Sequence, residues 1–390
     1  MNAPAAFHIM TKPIGPTCNL GCAYCYYLSK RRLYPKTTDF RMSDAVLESF
    51  TRQYIQAQRV PAVTFGWQGG EPTLLGLDFF EQALVYQTRY RRPGMRVINT
   101  IQTNGTLLDD AWGRFFKRHD VLVGLSLDGP RDLHNAYRRT KDGRPTFQHV
   151  MDGLDVLKRH DVAFNVLATV HAANAPYPLE TYHFLRDEVG AAFIQFIPIL
   201  QQQPEGGLTK RSVTAQQYGA FLTAIFDEWV QQDLGEVSVQ IFDVAVSVAL
   251  DRPPGLCVFS ETCGTAMALE HNGDLYVCDH FVDAKHRLGN LTETPLVELV
   301  GSAKQRDFGE AKADLPDICQ TCDVRYVCHG GCPKNRLPSS PGEPPLNMLC
   351  AGYKAFFEHI ERPVNIIARQ MRQRRSLPAI RQRIQRYFAS

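Results

Sequence analysis

Six short apolar runs rich in β-branched and aromatic residues punctuate the first half of the chain, at Phe7 to Lys12, Ala62 to Trp67, Arg96 to Gln102, Leu122 to Leu127, Phe164 to Val170 and Phe193 to Ile197. Each reads as a strand. Between them the spacing of apolar positions lengthens to that of amphipathic helices, at about 42 to 58, 78 to 92, 109 to 118, 146 to 160 and 176 to 188, with Ser43 and Asp109 placed as N-caps. Strands and helices in strict alternation form a parallel sheet with right-handed crossovers, and six such strands close most of a (β/α) barrel. In a barrel of this kind the chemistry sits on loops that follow the carboxyl ends of the strands.

The alternation stops at the polar stretch Gln201 to Arg211, after which a long helix is expected from about Ala215 to Gln232. From Pro253 the chain becomes turn-rich and cysteine-dense. It reads as too poor in apolar surface to be stable alone and in need of metal cross-links. The run Pro338 to Pro345 reads as an exposed loop. The expected division is a partial (β/α)6 barrel over 1–235, a cysteine-rich domain over 236–350 and a basic helical tail over 351–390. In the tail, Leu377, Ile380, Ile384 and Phe388 fall at helical spacing behind Ser376, and from Arg362 onward there is no acidic residue. That is an amphipathic helix with a basic outer face, expected to dock on the body of the protein.

Composition narrows the class. The 390 residues are 44% hydrophobic, and no run approaches the ~20 apolar residues of a membrane span. A net charge of +3 gives no reason to expect nucleic acid as a partner. The first residues, MNAPAAFHIMTKPIGP, have neither the basic start nor the apolar core of a secretory signal. A reducing, cytoplasmic setting is therefore expected, which argues against structural disulfides.

The cysteines carry the chemistry. Cys18, Cys22 and Cys25 follow the first strand directly, and Cys257, Cys263, Cys278, Cys319, Cys322, Cys328, Cys332 and Cys350 fill the last third. Three thiolates at C-x3-C-x2-C spacing can hold three irons of a cubane cluster and leave the fourth open. Eight more suffice for two saturated four-iron clusters, or equally for two structural zincs. Gly21 allows a tight turn around a cluster, and Tyr24 offers an aromatic face to whatever binds the open iron. After the second strand, WQGGEP (Trp67 to Pro72) exposes backbone groups that suit the ammonium and carboxylate of an amino acid.

CNLGCAYC together with GGEP resembles the radical S-adenosylmethionine (radical SAM) superfamily, and the later array resembles its SPASM extension with two auxiliary 4Fe-4S clusters. The stretches GPTCNLGCAYCYYL, QTNG, GLSLDGP, QFIPI and NGDLYVCDHFV are similar to those of the anaerobic sulfatase-maturating enzymes. The resemblance implies three 4Fe-4S clusters, S-adenosylmethionine, and oxidation of a cysteine or serine in a nascent sulfatase, within Cys/Ser-x-Pro-x-Arg, to Cα-formylglycine. It also implies an electron donor such as flavodoxin or ferredoxin. It places the reactive cluster on Cys18, Cys22 and Cys25, auxiliary cluster I on Cys257, Cys263, Cys278 and Cys332, and auxiliary cluster II on Cys319, Cys322, Cys328 and Cys350. Gly69, Gly70 and Glu71 are expected at the methionine end of the cofactor, with Tyr24, Ser126 and Arg138 beside it; Arg139 competes with Arg138. Asp279 is expected as the general base, with His280 as a supporting residue, and Gln68 and Gln102 as contacts to the substrate backbone. The competing reading is a related enzyme that cross-links or epimerises a ribosomally made peptide.

Overall fold

The computed structural model describes residues 6–203, 207–337 and 345–389, so positions 338–344 of the expected Pro-rich loop lie outside it. The strands are β1 (His8–Lys12), β2 (Ala62–Trp67), β3 (Arg96–Thr103), β4 (Leu122–Ser126), β5 (Phe164–Val170), β6 (Phe193–Pro198), β7 (Ser238–Val239), β8 (Ala266–Glu270), β9 (Asp274–Tyr276) and β10 (Arg287–Asn290), with two short ones, Arg336–Leu337 and Leu346–Asn347, beyond them. The chain forms two compact units, each assembled from separated stretches. The first takes residues up to Ser126, Asn135–Phe164 and Cys263–Ala311; the second takes Leu127–His134, Asn165–Thr262 and Lys312 onward.

In the first unit the strand order is β10-β9-β8-β1-β2-β3-β4. The run from β8 to β4 is parallel, and β9 and β10 turn back antiparallel. Parallel strands covered on both faces read as near-continuous apolar runs, which is why β1 to β4 were visible in the sequence. Helix Asp44–Ala57 starts where Ser43 Oγ accepts the Val46 N–H at 3.3 Å, and helix Asp110–Arg118 where Asp109 accepts from Ala111 and Trp112. Phe50 and Tyr54 of the first helix pack on Phe65 and Trp67 of β2, closing a core with Ile9 and Val123.

The cysteine-dense stretch has a support that its composition does not reveal. Ala266–Glu270 adds to the sheet as β8, in register Thr11↔Leu269 and Lys12↔Glu270 with β1. Met267, Leu269 and Leu275 are buried in the same core as Ile9 and Phe65. Hydrophobic burial and a strand ladder, rather than metal alone, hold this part of the chain.

In the second unit β5, β6 and β7 are parallel neighbours. The helix expected over 176–188 is α-helical at Pro178–His183 and widens to a π-turn at Phe184–Glu188, which buries Phe184, Leu185 and Val189 together. Helix Ala215–Gln232 begins with a reciprocal Thr214–Gln217 capping box. The tail forms helix Leu377–Phe388, with Ile380 and Ile384 buried and Leu377 left exposed. Arg372 pairs with Asp251 at 2.6 Å and Arg381 with Glu236 at 2.7 Å, so the basic tail is docked on its own unit as expected. Among the described residues no helix is long and apolar enough to cross a membrane.

Candidate active site

The site lies at the carboxyl ends of β1 to β4. After Lys12 the chain turns through Pro13–Pro16 into the first cysteine loop, which is tied down by backbone bonds from Gly21 N to Arg139 O (2.8 Å) and from Ala23 N to Tyr137 O (2.9 Å). Cys18, Cys22 and Cys25 are all partly buried, and none of the eleven cysteines forms a disulfide. Two N–H groups approach Cys18 Sγ: Leu20 N at 3.3 Å and Asn104 Nδ2 at 3.8 Å. Burial pushes the Cys18 thiol up to about 12, and the charges of Glu71, Cys22 and Cys25 add to it, against the Leu20 N–H. Thiols in such a place ionise when a metal binds them. Three cysteines within electrostatic reach of one another at Cys18, with N–H donors beside its sulfur, fit the open-site cluster that the spacing implies.

The loop after β2 is built on glycine. Gly69 has φ +88° and Gly70 φ +53°, the left-handed region. A Cβ on Gly70 would enter the Thr17 carbonyl oxygen, and one on Gly69 would overlap the Lys12 side chain. Glu71 N donates to Thr17 O at 2.9 Å, fastening this loop to the cysteine loop. The Glu71 carboxylate, 1% exposed, accepts from Thr73 N (3.1 Å), Thr73 Oγ1 (2.6 Å), Thr103 Oγ1 (2.7 Å) and Asn104 N (2.8 Å). Burial raises its pKa and these donors oppose the rise. Its oxygens are thus held by its own loop and by the end of β3.

The adjacent arginines separate clearly. Arg138 is buried with its guanidinium 5.6 Å from the Tyr24 ring centroid, whereas Arg139 is exposed and bonds Gly143 O at 3.0 Å. Gln102 Nε2 donates to Ser126 Oγ at 2.9 Å, joining the ends of β3 and β4. Gln68 is half-buried just past β2, its N–H bonded to Thr11 O at 2.9 Å.

Asp279 opens the 3₁₀ turn Asp279–Phe281 after Cys278 and is buried. Its Oδ1 pairs with Lys12 Nζ, and its Oδ2 accepts from Tyr26 OH at 2.6 Å. Burial would raise its pKa, but the charges of Lys12 and His280 and the hydrogen bonds from Lys12 and Tyr26 prevail and hold it at about 2. The Lys12 ammonium also sits 4.7 Å from the Tyr27 ring centroid, and Tyr27 OH donates to the buried Glu270. The ring of His280 lies 5.7 Å from that of Tyr26. Sequence reasoning missed Lys12 and Tyr26. The available signal was a lone lysine closing an otherwise apolar strand, since a buried lysine needs a partner.

In the second unit, the Cys328 thiol is pushed up to about 12 by burial and further by Cys350, Cys319 and Cys322, so the four expected ligands of auxiliary cluster II lie within electrostatic reach of one another. Cys332 is likewise raised by burial and by Cys257. Cys263 and Cys278 belong to the first unit. Among the described residues no three Cys, His, Asp or Glu side chains are gathered as ligands of a single metal ion.

Two family signatures match: the Radical SAM superfamily over residues 13–185 and the SPASM iron-sulfur cluster-binding domain over residues 257–323. The chain is 43% identical over 370 residues to a serine-type anaerobic sulfatase-maturating enzyme of Bacteroides thetaiotaomicron, covering 90% of this chain and 89% of that one. It is 33% identical to a cysteine-type enzyme of Clostridium perfringens, over 90% and 95% of the two chains. The solved structure of native anSMEcpe with bound AdoMet and a peptide superposes with a TM-score of 0.86 at 31% identity, covering 94% of this chain and 99% of that one.

Proposed function

The chain belongs to the anaerobic sulfatase-maturating enzymes, radical SAM enzymes with a SPASM domain and 4Fe-4S clusters, and we propose that its substrate is a serine or cysteine of an unfolded sulfatase, which it converts to Cα-formylglycine. Likeness along nearly the whole chain carries this reading. Higher identity to the serine-type enzyme, 43% against 33%, supports a hydroxyl substrate.

When bound, the clusters and S-adenosylmethionine supply the one-electron chemistry, removing a hydrogen atom from the substrate Cβ and taking up the electron left behind. Cys18, Cys22 and Cys25 hold the reactive cluster. Cys257, Cys263, Cys278 and Cys332 hold auxiliary cluster I, and Cys319, Cys322, Cys328 and Cys350 hold auxiliary cluster II. The backbone of Gly69 and Gly70 receives the amino-acid end of the cofactor, with Tyr24, Arg138 and Ser126 around it, while Glu71 shapes that loop from behind. Gln68 and Gln102 hold the substrate backbone. Asp279 takes the proton from the substrate oxygen or sulfur, the step a positioned carboxylate performs. A serine loses two hydrogens in all and becomes the aldehyde; a cysteine gives a thioaldehyde that exchanges sulfur for water oxygen. An external low-potential donor such as flavodoxin or ferredoxin provides the reducing electron.

The test is mass spectrometry on paired peptides carrying Ser-x-Pro-x-Arg or Cys-x-Pro-x-Arg, incubated anaerobically with reconstituted enzyme, S-adenosylmethionine and dithionite. Loss of two hydrogens from the serine peptide, with an aldehyde that hydrazine captures, is the expected product. A product that retains cysteine sulfur in an internal cross-link, with no aldehyde from either peptide, overturns the reading in favour of a peptide-cross-linking enzyme.

A further inference from the structure

The motif QTNG, Gln102 to Gly105, is not used up by the roles above. Its asparagine is buried at 8% exposure, at the end of β3. Asn104 Nδ2 reaches Cys18 Sγ at 3.8 Å and Asn19 Oδ1 at 2.9 Å, while its Oδ1 accepts from Thr106 N (3.0 Å) and Thr106 Oγ1 (2.7 Å). Asn19 in turn donates to Thr106 Oγ1 at 2.8 Å. The backbone N–H of Asn104 is held by the Glu71 carboxylate at 2.8 Å. The amide therefore cannot swing: its oxygen is fixed by Thr106, its backbone by Glu71, and its amino group is aimed at the sulfur.

We infer that Asn104 is a positioning residue for the reactive cluster, presenting an N–H to the Cys18 thiolate and setting the ease with which that cluster is reduced. An N–H dipole pointed at a cluster sulfur stabilises the extra negative charge of the reduced state more than the oxidised state, and so raises the reduction potential. The same contact explains why Glu71 follows the two glycines. By holding the Asn104 backbone, it ties the ligand-binding loop to the orientation of the amide behind Cys18. The inference rests on Cys18 being a ligand of the reactive cluster, as proposed above.

The experiment is an anaerobic redox titration of the reconstituted holoenzyme, followed by the EPR component that changes when S-adenosylmethionine is added. Asn104→Ala removes the donor. The reduction equilibrium should fall about tenfold, a shift of about 59 mV to more negative potential for a one-electron couple. Thr106→Val removes the hydroxyl from the same clamp but keeps the Thr106 N–H that holds Asn104 Oδ1 and both amides beside Cys18, and should leave the midpoint near wild type even if some iron is lost. Should Asn104→Ala fail to keep its cluster, Asn104→Asp carries the test. It preserves the oxygen that Thr106 uses but adds a negative charge where the amino group stood, so it should lower the midpoint further than loss of the N–H alone, and a midpoint at or above wild type in it overturns the inference. A wild-type midpoint in a cluster-replete Asn104 variant overturns the inference, as does an equal shift in Thr106→Val, which would mark a purely structural clamp. If the cofactor-responsive signal survives in a Cys18→Ala, Cys22→Ala, Cys25→Ala variant, it is the cluster assignment that fails.

Discussion

Replacing Asp279 by Asn tests the proton step and the buried ion pair at once. Asparagine keeps the shape and can still accept from Tyr26, but it is no base, and it leaves the Lys12 ammonium, 2% exposed, without its ion-pair partner. Removing one partner of a buried pair costs about 3–5 kcal/mol, whereas removing both often costs little. For a unit of this size each kcal/mol moves the melting temperature by about 2–4 °C, so Asp279→Asn should melt roughly 6–20 °C lower. Lys12→Met/Asp279→Asn should regain most of that loss. Loss of a positioned base lowers rate by about 10²–10⁴. Aldehyde formation should fall by that order in both variants, while 5′-deoxyadenosine is still released, because hydrogen abstraction at Cβ does not need the carboxylate. Aldehyde, 5′-deoxyadenosine and iron are measured on one preparation of each protein. Wild-type aldehyde yield in Asp279→Asn, or its recovery in the double variant, refutes the assignment of the base. Iron lost from the single variant and restored in the double would show that the charge imbalance, not the missing base, disturbs Cys278.

Four further outcomes are expected. Replacing Cys18, Cys22 and Cys25 together by Ala should remove about a third of the iron and all S-adenosylmethionine cleavage, since one of three four-iron clusters is lost; iron assay and chromatography of the nucleoside product check this. Gly70→Ala, with φ +53° and a Cβ directed into the Thr17 carbonyl beside Cys18, should abolish cofactor binding in equilibrium dialysis and, by displacing the cysteine loop, lower the iron content by up to about a third, one cluster of three. Ile384→Ala, at a fully buried position of the tail helix, should destabilise the second unit by about 2–5 kcal/mol. Arg383→Ala, exposed on the same helix, should leave thermal melting unchanged.

The strands β1 to β6 were readable because a parallel sheet covered on both faces demands runs of apolar residues, and helices between them announce themselves by their caps. β8 was not. Ala-Met-Ala-Leu-Glu consists of strong helix formers, and only the pairing of Ala266–Glu270 with β1 makes it a strand. At the site, the cysteines and glycines were legible because spacing and residue type fix their chemistry. The bond between Lys12 and Asp279 was not, since no local pattern links a strand end to a turn in the distant cysteine-rich stretch. Nor could the motif tell that the Glu71 oxygens accept from Thr73, Thr103 and Asn104.

The place of β8 beside β1 has a consequence for how the protein is made. β1 leaves the ribosome well before the stretch from Cys263 to Ala311, which supplies one of its two neighbours and the carboxylate that neutralises Lys12. At about 5–20 residues per second, the interval before that stretch emerges is roughly ten seconds to a minute. Throughout it, one edge of β1 is unpaired and a lysine destined for the interior has only water or a chaperone around it. The first unit can close only late in synthesis, so cluster insertion at Cys18, Cys22 and Cys25 is either provisional or post-translational. A chain cut before residue 263 would keep the whole first cysteine motif and still be expected to aggregate through that bare edge.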